Sequence, residues 1–148
     1  MALIGPPIEF RLRKELKHTQ GYKACARWND LPQLGGIGSP LAKAERIIGA
    51  YENSPGHLNR LLLFTNTCIH LWEAGTWRSI RYSDIHGTDW PPGDKMEAHT
   101  LVVRLKNGDT ERLPVLRGTQ VTRDFFSVMG FINLVVRRKL WAEPCQTD

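Results

Sequence analysis

Histidine, cysteine and serine side chains are where chemistry would first be sought, and their spacing here is plain. The five histidines, His18, His57, His70, His86 and His99, contain no i,i+3 or i,i+4 pair, the spacing that would set two imidazoles on one helix face for a metal. The cysteines Cys25, Cys68 and Cys145 are odd in number and form no Cys-x-x-Cys. Neither a disulfide framework nor a zinc cluster is therefore expected, and reduced thiols in a cytoplasmic protein are. Cys68 lies in an apolar run and reads as a small core residue. Nucleophilic catalysis needs a Ser or Cys beside a base and an orienting group, and no recognised motif supplies one. The expectation is a chain that is not an enzyme and takes no cofactor and no metal.

Two other residue classes point to binding. Arg11, Arg13, Lys14, Lys17, Lys23 and Arg27, interleaved with Tyr22 and Trp28, could follow the phosphates of a nucleic acid. Glu9, Glu15 and Asp30 interrupt the run, and a solvated helix face explains it more simply. Five tryptophans (Trp28, Trp72, Trp77, Trp90 and Trp141) are many for one small domain to bury. Trp77 follows a turn and Trp90 sits in a Pro-Pro-Gly loop, positions where an exposed ring can anchor a partner. The simpler account places Trp72 and Trp141 in the core and Trp90 over an open end of the domain.

At 148 residues the chain suits one domain with an elaborated terminus, large enough to be stable without disulfides or metal. Its net charge of +5 admits an acidic protein, a nucleic acid or an anionic membrane as partner and selects none of them. Six of the 20 Lys and Arg residues fall in residues 1–34 against three acids, while the other 14 face 12 acids. The excess is thus N-terminal. No stretch approaches the roughly 20 apolar residues of a membrane span, and the N-terminus lacks the pattern of an export signal.

The elements that must position these residues divide at about residue 40. Residues 1–40 form a basic extension and connector. The alternation of Ile8, Phe10 and Leu12 with Glu9, Arg11 and Arg13 suits a half-buried strand, while the helix formers of Arg11–Ala26 favour a helix with Leu12 and Leu16 on its apolar stripe. A Pro- and Gly-rich segment follows from Leu31 to Pro40. Residues 41–142 form the main domain, and 143–148 a tail. Strands are expected at Arg46–Tyr51, Arg60–Phe64, Cys68–Trp72 and Thr76–Ile85, with turns at Asn53–Gly56, Thr65–Thr67 and Glu73–Gly75. Leu101, Val103 and Leu105 alternate with polar positions up to Asn107-Gly108, which predicts a two-residue type I′ hairpin. That turn would oppose Lys106 to Asp109, Leu105 to Thr110, Arg104 to Glu111 and Val102 to Leu113. A closing helix is expected from about Arg123 to Leu140, capped by Thr122, with Phe125, Met129, Phe131, Ile132, Val135 and Val136 on its buried face.

Leu61-Leu-Leu-Phe-Thr-Asn-Thr-Cys-Ile-His70 is similar to the Leu-Thr-Asn hairpin of bacterial pleckstrin-homology-like (PH/GRAM-like) domains. Ser79-Ile-Arg-Tyr-Ser-Asp-Ile85 resembles their strand end, and Asp124–Leu140 their closing helix. The resemblance covers residues 43–142, about two thirds of the chain. It implies an α+β, mainly β fold: a partly open seven-stranded barrel capped by the C-terminal helix, behind an N-terminal extension. It also implies binding rather than catalysis. Lipid-binding members use a Lys-x(n)-Lys/Arg-x-Arg pattern in the first hairpin; the matching stretch here departs from it, offering Arg46 and Arg60 with His57 between them.

Together these readings predict a protein-interaction module, an adaptor or an immunity-type protein that neutralises a toxin or secretion-system component by occluding it. Contacts are expected at Asn53, His57, Arg60, Trp77, Trp90 and Asp94, in the loops 53–59 and 89–94 or along a sheet edge. Peripheral binding to anionic lipid through Arg46 and Arg60 is the alternative, and nucleic-acid binding through residues 11–27 a further one.

Overall fold

The computed structural model describes residues 7–19, 21–53, 60–89, 100–115 and 121–142. In chain order these form α1 (Pro7–Leu16), β1 (Tyr22–Lys23), β2 (Ile47–Tyr51), β3 (Leu61–Thr65), β4 (Cys68–Glu73), β5 (Thr76–Arg81), β6 (Ile85–Asp89), β7 (Thr100–Leu105), β8 (Thr110–Pro114) and α2 (Val121–Arg138). Strands β1 to β5 make one antiparallel meander and β6 to β8 another. The fold is therefore mainly β with two helices. Among the described residues, 41–142 carry seven strands, β2 to β8, and the connector adds an eighth, β1, to the edge of β2. The two sheets share no ladder, so the described strands do not close into a barrel.

Strands β2, β3 and the start of β4 are buried at every position. Their near-continuous apolar sequence follows from cover on both faces of the sheet. On the inner face Ile48, Tyr51, Leu62, Phe64, Ile69, Leu71 and Ile80 meet both helices and the second sheet in the main core. On the outer face Ile47, Ala50, Leu61 and Leu63 pack against Cys25, Leu31 and Leu34 of the connector. The basic extension is thus part of the packed structure. Trp28, Trp72 and Trp77 close this second core, with Trp77 centred 5.9 Å from Trp28 and 5.1 Å from Trp72.

Helix α1 starts with Pro7 at its first position, where a missing N–H costs nothing. Ile8, Leu12 and Leu16, one turn apart, are buried. The helix ends ten residues before Ala26, because the chain must turn to pair Tyr22 with Tyr51 and Lys23 with Ala50. Gly21 permits that approach: a Cβ there would lie 2.6 Å from Tyr51 Cε2 and 2.7 Å from the Glu52 carbonyl oxygen. Gly21→Ala is expected to destabilise the protein by roughly 1–3 kcal/mol, as overpacking against backbone does. Urea unfolding would measure it, and a loss below about 0.5 kcal/mol would show that the turn can shift.

The β7–β8 hairpin corrects the expected register by one residue. The Leu105 amide donates to Asp109 O at 2.8 Å and the Gly108 amide to Leu105 O at 3.0 Å. Gly108 alone takes the left-handed conformation, at φ 94°, so the loop has three residues, a type I turn and then a bulge. Arg104 consequently opposes Thr110, Val103 opposes Glu111 and Leu101 opposes Leu113. Burial decides the register: Leu101, Val103 and Leu113 are inside, and the two-residue loop would have set the half-buried Val102 against Leu113. The expected Arg104–Glu111 pair does not form. Arg104 pairs with Asp89 at 2.6 Å and Glu111 with Arg78 at 2.8 Å.

Helix α2 begins at Val121, which places Thr122 inside the helix rather than at its cap. Phe125, Val128, Phe131, Ile132 and Val135 are fully buried. The helix closes with Lys139 at φ 53° and the Leu140 amide bonded to Val135 O at 3.1 Å, a Schellman arrangement. No helix among the described residues is long and apolar enough to cross a membrane.

Candidate functional site

Strands β5 and β8 are the end strands of their respective sheets. They face one another across a seam bridged by side chains. Arg78 of β5 spans it: Nη1 lies 2.8 Å from Glu111 Oε2, and Nη2 donates to Arg112 O at 3.3 Å. Glu73 steadies the guanidinium at 3.4 Å and holds Arg60 at 3.2 Å. Two cavities lie along the seam, with Arg78 and Glu73 lining one and Glu111 lining both. The first, of 480 Å³, is bounded by Arg60, Thr100, Thr110 and Pro114 as well. The second, of 330 Å³, is lined by Glu45, Cys68, His70, Ser79, Arg81 and Asp84, among others.

The second cavity has a polar floor. His70 and Ser79 are directly opposed across the β4–β5 ladder, so their side chains share a face, and His70 Nδ1 lies 2.6 Å from Ser79 Oγ. His70 Nε2 lies 2.6 Å from Glu45 Oε2, both side chains being about 97–98% buried (2% and 3% exposed). Thr65 Oγ1 donates to the same carboxylate oxygen, and the Ala42 amide donates to the other at 2.9 Å. Burial by itself raises the Glu45 pKa. The hydrogen bonds from His70, Thr65 and the Ala42 amide, with the imidazole charge, outweigh it and hold the carboxyl down at about 2. With Glu45 ionised, Nε2 carries the proton it donates, and Nδ1 is paired with the Ser79 hydroxyl. Burial pushes the Cys68 thiol up, so it is held as the neutral S–H.

The residues expected from sequence to be contacts are spread over the molecule. Arg60 lies on the seam. Asn53 is buried, its amide donating to the carbonyls of Arg60 and Pro114 and so tying β2 to the second sheet. Trp77 is half-buried in the second core, its indole N–H donating to Gly38 O at 2.9 Å. His57, Trp90 and Asp94 lie outside the described residues. Arg46 and Arg60 flank opposite ends of the β2–β3 ladder, in which Ile47 pairs with Thr65 and Tyr51 with Leu62, so they do not converge on one headgroup. Of the basic set, Arg13 and Lys14 are exposed on α1 with Phe10, which is 47% exposed, Arg11 is half-buried on the same helix, and Lys17 is exposed just past its end. The Arg11 guanidinium stands 5.9 Å over the Phe10 ring. Lys23 and Arg27 are exposed beyond the helix.

The polar floor was reached only in part by sequence. Cys68-x-His70 carried a signal, since alternate residues of a strand share a face. Glu45 lies 25 residues before His70 and Ser79 nine after it, and only the meander brings them together. Comparison with protein-family models, curated proteins and solved structures returns no match to this chain.

Proposed function

We propose that this chain is a non-catalytic PH-like interaction module that holds an extended segment of a partner protein along the β5–β8 seam. The seam itself carries this reading: two antiparallel sheet edges face each other, joined by the Arg78 side chain. A strand entering there would find main-chain hydrogen bonds at either edge and side-chain recesses on both sides of Arg78, which is how strand addition works. Seven described strands within residues 41–142, β2 to β8, followed by a closing helix also agree with the strand number and element order that the PH-like resemblance implies. Ser79, His70 and Glu45 have the sequence of hydroxyl, base and carboxylate that a nucleophile needs. Ser79, however, lies within β5 in the β4–β5 ladder, rather than on a turn or helix N-terminus that would aim its neighbouring amides at an oxyanion. That favours binding over catalysis.

A photocrosslinking residue at Thr76 or Thr110 of the full chain, in its own cells, should trap one protein, whereas the same residue at Lys17 should not. Arg78→Glu should abolish the adduct while leaving the circular dichroism unchanged. A toxin or secretion-system component in the adduct would specify an immunity role. Adducts at Lys17 with none at the seam would overturn the proposal and favour the second reading. In that reading α1 presents its basic face and the exposed Phe10 to an anionic bilayer. Binding to phosphatidylserine vesicles would then fall steeply between about 0.05 and 0.5 M salt as charges are screened, and Phe10→Ala would weaken it.

A further inference from the structure

We propose that Glu45, Cys68 and His70 form a site for one zinc-class divalent ion at the floor of the smaller cavity. Each residue offers one donor atom, and the three donors lie within 4.8 Å of one another. In a tetrahedral zinc site, bond lengths near 2.0 Å for N and O and 2.3 Å for S set donors roughly 3.3–3.7 Å apart. The Glu45–His70 contact of 2.6 Å must open slightly and Cys68 must close in. Side-chain rotations suffice, because the donors stand at the end of the connector and at the start of β4.

The donor set names the class of ion. One thiolate, one imidazole and one carboxylate suit zinc or cobalt(II), whereas magnesium and calcium prefer all-oxygen sites. The surrounding groups are already in place. Ser79 Oγ sits at His70 Nδ1, Thr65 Oγ1 and the Ala42 amide hold the carboxylate, and such outer partners fix ligand orientation. The proton balance closes simply. His70 binds in its neutral form with its proton on Nδ1, where Ser79 Oγ is the acceptor, and Nε2 is freed for the metal. Cys68 releases its thiol proton to solvent, so binding liberates that proton together with any second proton on the imidazole. Three protein donors leave the fourth position facing the cavity, for water or for a side chain of whatever enters the seam.

The test uses the full chain, stripped with a chelator and titrated with zinc against a chromophoric competitor, then with cobalt(II). One ion per chain is expected, with the near-ultraviolet thiolate-to-cobalt charge-transfer band. Cys68→Ser should remove that band and weaken zinc binding by more than ~100-fold; Ser79→Ala, which touches only the outer partner, should weaken it ~10–100-fold. A Cys25→Ser, Cys145→Ser double variant, which keeps the site intact, should retain the band. The proposal fails if folded wild type takes up no stoichiometric ion. It fails equally if the double variant loses the band, or if Cys68→Ser binds zinc as tightly as wild type, which would place the ion on exposed His18 or His86.

Discussion

Phe131→Ala is expected to lower the free energy of unfolding by ~3–5 kcal/mol, with the denaturant m-value unchanged. The side chain is fully buried at the centre of α2. It meets Phe64 of β3 edge-on at 5.4 Å and Tyr82, in the turn between the sheets, edge-on at 6.3 Å. Truncation therefore removes transferred apolar area and two edge-to-face contacts, each worth ~0.5–1.5 kcal/mol. Collapse of the surroundings into the void is limited, because α2 is pinned elsewhere. Tyr51 donates to Asp124 at 2.5 Å, and Thr88 Oγ1 donates to Asn133 at 2.9 Å. The matched control is Phe126→Ala: Phe126 is 51% exposed on the same helix and should change stability by less than about 1 kcal/mol. A Phe131→Ala loss below ~1 kcal/mol would remove the helix from the core and make its apolar face a binding surface.

What could be read from sequence followed the strength of local signals. The spacing of Phe125, Phe131, Ile132 and Val135 fixed which face of α2 is buried, and Asn107-Gly108 fixed the place of a hairpin. The turn dipeptide did not fix the register, since burial of Leu101 and Leu113 outweighed the preference for a two-residue loop. The helix expected over Arg11–Ala26 formed only where Leu12 and Leu16 had a face to bury. Beyond it Gly21 and the β2 edge took the chain. The connector looked like a linker because its three glycines and two prolines between Leu31 and Pro40 advertise turns. Leu31 and Leu34, buried against β2 and β3, were the residues that made it part of the core. The seam was illegible for a different reason. Arg78, Glu111 and His70 are ordinary strand residues, and their juxtaposition depends on how two separate meanders are placed, which no local pattern encodes.

The second large effect is expected at acid pH, in protein kept metal-free with a chelator. The Glu45 carboxyl falls from an ordinary value of 4.5 to about 2 on folding. A carboxylate lowered in this way contributes stability that is fully present above pH ~4.5 and is lost as pH falls towards 2. At 1.36 kcal/mol per pKa unit the shift corresponds to about 3 kcal/mol, a large share of the 5–15 kcal/mol typical of a domain. The side chain is nearly inaccessible to solvent, so screening takes little of it away. Asp30 is also lowered, by hydrogen bonds from the Ala26 and Arg27 amides, but it lies at the surface, where solvent damps such effects. Wild type should therefore lose stability steeply below pH 4.5. Glu45→Gln should already be less stable at pH 7. Its amide accepts on one oxygen only and without charge, which sets its NH2 against either the Ala42 amide or the Thr65 and His70 donors. The wild-type and variant curves should converge towards pH 2. Chemical denaturation at half-unit pH steps measures this, and salt separates it from surface charge effects, which 0.5 M sodium chloride suppresses. Parallel wild-type and Glu45→Gln curves from pH 7 to 2.5 would mean that Glu45 titrates alike in the folded and unfolded chain. The three hydrogen bonds that order the floor of the cavity would then contribute no net preference for the ionised carboxylate.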